Sequence, residues 1–125
     1  MKIAISATGN SLEAAVDPRF GRCSYFIVID PNTMQYEILD NSANSGGGGA
    51  GIAAAQMLAR SGVATVLTGN YGPNAHKVLS AKGVQVITGV SGKIKDAIEE
   101  YKLGTFSFSE QATVRDHFGV NTGAE

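Results

Sequence analysis

The chain has one cysteine, Cys23, among 125 residues. A single thiol cannot close an internal disulfide, and scarce thiols fit a reducing compartment. Charge is also scarce. Asp, Glu, Lys and Arg make up 17% of the chain, against about 25% in typical domains. The surface must therefore lean on Ser, Thr, Asn and Gln. The net charge is −1, so the basic excess of a nucleic-acid footprint is missing. No apolar run approaches the ~20 residues that span a bilayer. The start, Met1-Lys2-Ile3-Ala4-Ile5, reads as a strand and lacks the charged, apolar and cleavage regions of a leader. The expectation is a cytoplasmic protein without a membrane segment.

What the chain has in excess is glycine. Sixteen glycines are nearly twice the usual share of about 7%, and each one inside a helix or strand costs stability. Local reasons are therefore needed. The length suits one domain.

Hydrophobic patterning gives the elements. Lys2 to Ala7 reads as a short buried strand ending in a Thr8-Gly9-Asn10 turn. Ser11 to Arg22 is polar and reads as an ordered loop. Ser24 to Ile29 is rich in β-formers, and Asp30-Pro31-Asn32-Thr33 turns it back into Gln35 to Leu39. A helix is expected from about Ile52 to Arg60, with Gly62 past its end. Thr65 to Thr68 reads as a buried strand. Pro73 opens a second helix, with Ala75, Val78 and Leu79 on one face, and Gly83 ends it. Val84 to Ile87 is a further strand. Ser91 is the expected cap of a last helix carrying Ile94, Ala97, Ile98 and Tyr101 on one face.

Alternating helices and strands imply parallel pairing through right-handed crossovers. The expectation is an α/β fold with a five-stranded mixed sheet. The hairpin lies on one side of the first strand and the parallel strands on the other. Residues 1–104 form the domain, and residues 105–125 read as a loosely held tail. The tail's Asp116-His117-Phe118-Gly119 echoes Asp17-Pro18-Arg19-Phe20-Gly21, over too few residues to mark a repeat.

Ligands of open α/β sheets bind beyond the carboxyl ends of strands, where the strand order switches. Three segments rich in Gly, Asn, Ser and Thr are expected there: Thr8-Gly9-Asn10, Gly46 to Gly51, and Gly69 to Asn74. Two of them start helices, whose N–H groups attract anions. The alternative is that these glycines only end strands. The run Gly46, Gly47, Gly48, Gly49 is not a P-loop, because no Gly-Lys-Ser/Thr follows. Nor is it a dinucleotide fingerprint, since no acidic residue stands about 20 residues on. Paired carboxylates for two-metal chemistry are not expected at the switch point.

Arg19 and Arg22 flank Phe20-Gly21, and two guanidiniums so close suit an oxyanion or a sulfide-rich anion. The alternative pairs Asp17 with one of them and buries Phe20 in the core. Cys23 reads either as a small buried hydrophobe or as a soft metal ligand. One thiolate cannot hold an ordinary iron–sulfur cluster, which takes four. His76 reads as a helix-surface histidine near the expected pocket. Thr8, Asn10, Arg19, Phe20, Gly21, Arg22, Gly46 to Gly49, Gly69, Gly72 and Asn74 are thus the candidate binding residues, with Cys23 the candidate metal ligand.

Asp17-Pro18-Arg19-Phe20-Gly21-Arg22, Tyr25 to Asp30, the glycine-rich helix start and Gly69-Asn70-Tyr71-Gly72-Pro73-Asn74-Ala75 together resemble the dinitrogenase iron–molybdenum cofactor biosynthesis family. The resemblance covers residues 1 to about 104 and is strongest to small single-domain members of the orange-protein type from anaerobes. It implies a ribonuclease H-like three-layer fold without nuclease activity. It also implies a carrier or scaffold for iron–molybdenum cofactor precursors or a molybdenum–copper–sulfide cluster. Nitrogenase-linked members often carry His where this chain has Arg19. That departure trades an imidazole ligand for a charge and favours electrostatic holding. A small phosphate- or nucleotide-binding enzyme or sensor using the same loops is the alternative. A third reading is a module that docks on a partner ATPase or cofactor-assembly protein.

Overall fold

The computed structural model describes residues 1–44, 49–104 and 106. Gly46, Gly47 and Gly48, and the 116–119 echo, lie outside the described residues. Five strands, β1 (Lys2–Ala7), β2 (Tyr25–Ile29), β3 (Tyr36–Asp40), β4 (Val63–Leu67) and β5 (Gln85–Ile87), make one sheet in the order β3-β2-β1-β4-β5. Three helices accompany them, α1 (Ala50–Arg60), α2 (Pro73–Ala81) and α3 (Ile94–Lys102). β2 runs antiparallel to β1 and β3, whereas β4 is parallel to β1 and β5 to β4. The mixed sheet with its hairpin on one side is the expected arrangement. Among the described residues no helix is long and apolar enough to cross a membrane.

The period of two in the strands makes two cores. Ala4, Phe26, Val28, Val66 and Val86 face one side, where Ala54, Ala55, Leu58 and Leu79 of α1 and α2 cover them. Ile3, Ile5, Ile27, Ile29 and Ile87 face the other, under Ile94, Ala97 and Ile98 of α3. The alanines of α1 let its axis approach both the sheet and α2.

Helix α3 begins differently from the expectation. Ser91 does not cap it; Lys93 stands at the N-cap position without a side-chain capping bond. Gly92 takes φ 90°, turning the chain before the helix. The first free N–H groups of α3 are satisfied instead by the 11–16 loop: Ile94 N–H donates to Ala14 O at 2.8 Å and Lys95 N–H to Leu12 O at 3.0 Å. A serine cap has no donor left to serve there. α1 starts two residues earlier than Ile52, because Gly49 adopts φ 79° and its carbonyl accepts from Ala53 N–H at 3.0 Å. Phe106, assigned above to the tail, packs half-buried against the α3 core.

Candidate functional site

Parallel β1 and β4 lie side by side, and the chain leaves β4 into Thr68-Gly69-Asn70. There the segment Pro18–Phe20 runs parallel to it. Asn70 N–H donates to Pro18 O at 2.8 Å and Phe20 N–H to Asn70 O at 3.2 Å. Gly69 permits this approach, since a Cβ on it would stand 2.6 Å from Pro18 Cα. Gly21 does the same against α1, where a Cβ would meet Gly51 N at 2.7 Å. Two glycines thus let the arginine loop lie against the starts of both neighbouring elements.

The result is a cleft of about 630 Å³. Its walls are Pro18 to Arg22, the start of α1 (Gly49 to Ile52) and the start of α2 (Asn70 to Ala75). Both helices enter through glycine, Gly49 and Gly72, and neither carries a side-chain cap. Two helix N-termini therefore present their first-turn N–H groups and positive dipole ends to one cavity. Pro73 at the first position of α2 removes one donor and fixes the backbone entry.

Arg19 stands at the rim, its side chain 65% exposed. It is held by Asp17, which is buried. The Asp17 carboxylate accepts from Arg19 N–H at 2.9 Å, Nε at 3.1 Å and Nη2 at 3.2 Å. A buried carboxylate needs such partners. The hydrogen bonds and charge of Asp17 hold the Arg19 guanidinium above its usual pKa. Asp17 is itself fixed by Ser6, whose Oγ donates to Asp17 O at 2.6 Å and lies 2.8 Å from Thr68 Oγ1. So Asp17 does pair with an arginine and Phe20 does fill the core, its ring 5.2 Å from that of Phe26. Both nonetheless belong to a segment that lines the cleft.

Of the expected binding residues, Arg19, Phe20, Gly21, Arg22, Gly49, Gly72 and Asn74 meet at the cleft. Gly69 lies behind it, packed on Pro18. Thr8 and Asn10 are not in it. Thr8 N–H and Oγ1 both donate to Ala15 O, at 3.0 and 3.2 Å. That turn leads into the 11–16 loop on the α3 side of the sheet, away from α1 and α2.

Cys23 also departs from the metal-ligand expectation. It is fully buried and does not line the cleft. Its thiol donates to Phe20 O at 3.3 Å, and Asn41 Nδ2 lies 3.7 Å from Sγ. Burial pushes its pKa up to about 12, so the thiolate a metal would need is suppressed. Among the described residues no group of three or more His, Cys, Asp or Glu side chains could hold a metal ion. Tyr71 and Asn70 are wall residues that the expected set omits, although both sit inside the Gly69–Asn74 segment. Asp17 was visible only as part of the motif, because nothing local shows that its carboxylate is buried.

Residues 1–104 match the family described as dinitrogenase iron–molybdenum cofactor. The chain belongs to that family. A relative from Methanocaldococcus jannaschii, itself uncharacterized, is 31% identical over 107 residues, which cover 83% of this chain and 87% of the relative. Among solved structures, the apo form of the orange protein from Desulfovibrio gigas is 40% identical with a TM-score of 0.86, covering 89% of this chain and 94% of that one. A NifB-type protein from Thermotoga is 30% identical with a TM-score of 0.78, over 90% of this chain and 96% of its own. This member of the cofactor family thus shares its fold with the orange protein and with a protein described as NifB.

Proposed function

We propose that this protein is a non-enzymatic carrier or scaffold that holds an anionic metal–sulfur cluster in the cleft between α1 and α2. The cargo is an iron–molybdenum cofactor precursor or a molybdenum–copper–sulfide cluster. The carrying observation is the convergence of two side-chain-uncapped helix N-termini on a cavity rimmed by Arg19 and Arg22. Such a cavity holds an anion by N–H groups and charge, without protein metal ligation. The buried, protonated Cys23 and the membership of the cofactor family support the same reading. The strand order, with only β2 reversed, supports a ribonuclease H-like fold put to a binding use.

The walls divide the work. Backbone N–H groups of Gly51, Ile52, Asn74 and Ala75 offer donors. Arg19, pinned by Asp17, offers a charge that does not need to be ordered on binding, and Arg22 offers a second. Phe20, Ile52, Tyr71 and Pro73 exclude water from the floor, which strengthens each polar contact.

The test is reconstitution of the apo protein with tetrathiomolybdate and copper, and separately with an iron–sulfur precursor, followed by desalting. A visible chromophore should stay with the parent protein. Arg22→Ala and Arg19→Ala should each weaken retention by about tenfold, the scale of one charge-assisted bond. Absence of a retained chromophore from every mixture overturns the proposal. A thermal shift with nucleotides or sugar phosphates and none with the clusters would assign the cleft to phosphate ligands instead. Binding there should raise stability by about 2.7 kcal/mol at a hundredfold excess over Kd.

A further inference from the structure

The two edges of the sheet differ. At the β5 edge, Val84, Val86 and Ile87 are buried. The β3 edge is open: Tyr36, Glu37 and Asp40 are exposed, and Ile38 and Leu39 are half-buried. Among the described residues β3 pairs only with β2.

Two bonds fix which backbone groups of β3 point outwards. Asn41 N–H donates to Ser24 O at 2.9 Å, and Asp30 N–H donates to Gln35 O at 3.0 Å. These pairs bracket an antiparallel ladder, in which hydrogen-bonded residues alternate along the strand. Glu37 and Leu39 therefore bond to β2. Tyr36, Ile38 and Asp40 turn their N–H and C=O groups away from it. The register runs unbroken from Tyr25 opposite Asp40 to Ile29 opposite Tyr36, and β3 contains no proline. The edge thus lacks the bulges and prolines that commonly blunt such strands.

The side chains of β3 sort by face. Ile38 packs against the α3 core and Leu39 against the α1–α2 core. By alternation, Tyr36 and Asp40 share the face of Ile38, and Glu37 shares that of Leu39.

What guards this edge is charge of one sign. From Cys23 to Ala59 the chain carries Asp30, Glu37 and Asp40 but no Lys or Arg. Asp30 and Asp40 accept backbone N–H groups of Asn32 and Ser42 at 2.9 and 2.8 Å. The ion pairs among the described residues involve none of these three carboxylates. A second copy meeting the same edge would set them against their like, which is destabilising. A cationic strand would meet no such repulsion.

We infer that the open edge of β3 docks an extended, basic segment of a partner protein, which adds as a further strand through the outward backbone groups of Tyr36, Ile38 and Asp40. A Lys or Arg stands opposite Glu37 and an apolar side chain opposite Ile38, so the segment alternates basic and apolar residues. The backbone supplies affinity and the alternation supplies specificity, the division of labour usual for strand addition. β3 leads directly into Asn41, whose Nδ2 donates to Gly21 O at 3.2 Å. The docked segment thus runs up to the loop that walls the cleft.

Fluorescein-labelled peptides of about ten residues, alternating Val with Lys, Gln or Glu, probe the edge of the full-length protein by anisotropy at low salt. The Lys peptide should bind at least about fivefold more tightly than the Gln peptide, the scale of one or two cross-strand ion pairs, and the Glu peptide should not bind. Glu37→Lys should reverse the order of the Lys and Glu peptides. Tyr36→Pro removes an outward N–H that β2 does not use, and should lose the Lys peptide while melting close to the parent. Glu99→Gln, on α3, should change affinity by less than about twofold. The Ile38 amide of the free protein should exchange faster than that of Leu39, and should slow when the Lys peptide is present. Equal binding of the Lys and Gln peptides overturns the inference. So does an unchanged peptide order in Glu37→Lys. So does slow exchange at Ile38 in the free protein, which would show the edge already covered by another part of the chain or by a second copy. None of these outcomes depends on whether the cleft holds a cluster.

Discussion

At the scale of single residues, the site depends on polar groups buried beneath it. Ser6, Asp17 and Thr68 are buried; Ser6 and Thr68 stand at the ends of β1 and β4, and Asp17 lies on the loop bonded to Ser6. They fix where Arg19 stands before any ligand arrives. Cys23 is buried beside them with a different consequence. With its pKa pushed up to about 12 by burial, roughly one thiol in ten thousand is ionised near pH 8. Iodoacetamide should therefore leave Cys23 of the native protein unmodified on a timescale that fully labels the protein in guanidinium. Cys23→Ala should keep the reconstituted chromophore while lowering stability modestly, by about 1 kcal/mol for a small buried side chain. A native thiol that alkylates rapidly, or a folded Cys23→Ala that loses the chromophore, would show the sulfur to be a ligand after all. The burial of Cys23 was one of the two readings that the sequence left open. It follows from Asn41, whose Nδ2 donates to Gly21 O and Cys23 O at 3.2 and 2.8 Å, a contact between residues about twenty positions apart.

At the scale of elements, apolar spacing with proline and glycine signals placed the five strands and three helices of the described residues to within about two residues, because these are local properties. It misplaced what long-range contact decides. Thr8 and Asn10 follow a central strand, as a switch-point ligand would require, yet the Ala14 and Leu12 carbonyls are drawn to the start of α3 and carry that loop to the opposite face. The arginine loop reaches the cleft instead, and glycine decides that approach. Gly21→Ala would put a Cβ 2.8 Å from Gly51 Cα and 3.0 Å from Ala50 C. Backbone atoms cannot yield cheaply, so α1 and the loop must part, at about 1–3 kcal/mol. Gly51→Ala is the matched control, since its Cβ would meet Ala75 Cβ at 3.5 Å, an ordinary contact, and alanine favours the helix. Thermal melts should show Gly21→Ala falling by about 4–8 °C per kcal/mol and Gly51→Ala unchanged or raised. Equal melting of the two variants would mean that the loop does not rest on α1 as described.

For the molecule as a whole, the two faces of the sheet are stabilised by different means. The α1–α2 face packs alanines and aromatics beneath the cleft. The α3 face is tied to the 11–16 loop by backbone bonds and by Glu13, whose carboxylate lies 3.0 Å from Lys95 Nζ and 3.4 Å from Lys93 Nζ. The hydrogen bond and charge of Lys95, then those of Lys93, hold the Glu13 carboxyl below its ordinary value of 4.5. The sign follows from linkage. A carboxyl whose folded pKa is depressed contributes stability above its unfolded pKa, and that contribution is lost as pH falls through the folded value. Asp40, lowered by its hydrogen bonds to Ser42, acts in the same direction from the other edge of the sheet. Stability should therefore be level above about pH 5 and decline below about pH 4.5. Because Glu13 is exposed and screened by salt, its share is small, and the slope rather than the absolute stability carries the information. Glu13→Gln should flatten the acid limb of a melting-temperature profile and reduce its dependence on salt, with little change near neutrality. If Glu13→Gln follows the parent curve at every acidic pH, the pairing with Lys95 and Lys93 contributes nothing to holding α3 on the sheet, and the apolar packing of Ile94, Ala97 and Ile98 with the backbone bonds to Ala14 and Leu12 holds it without that pair.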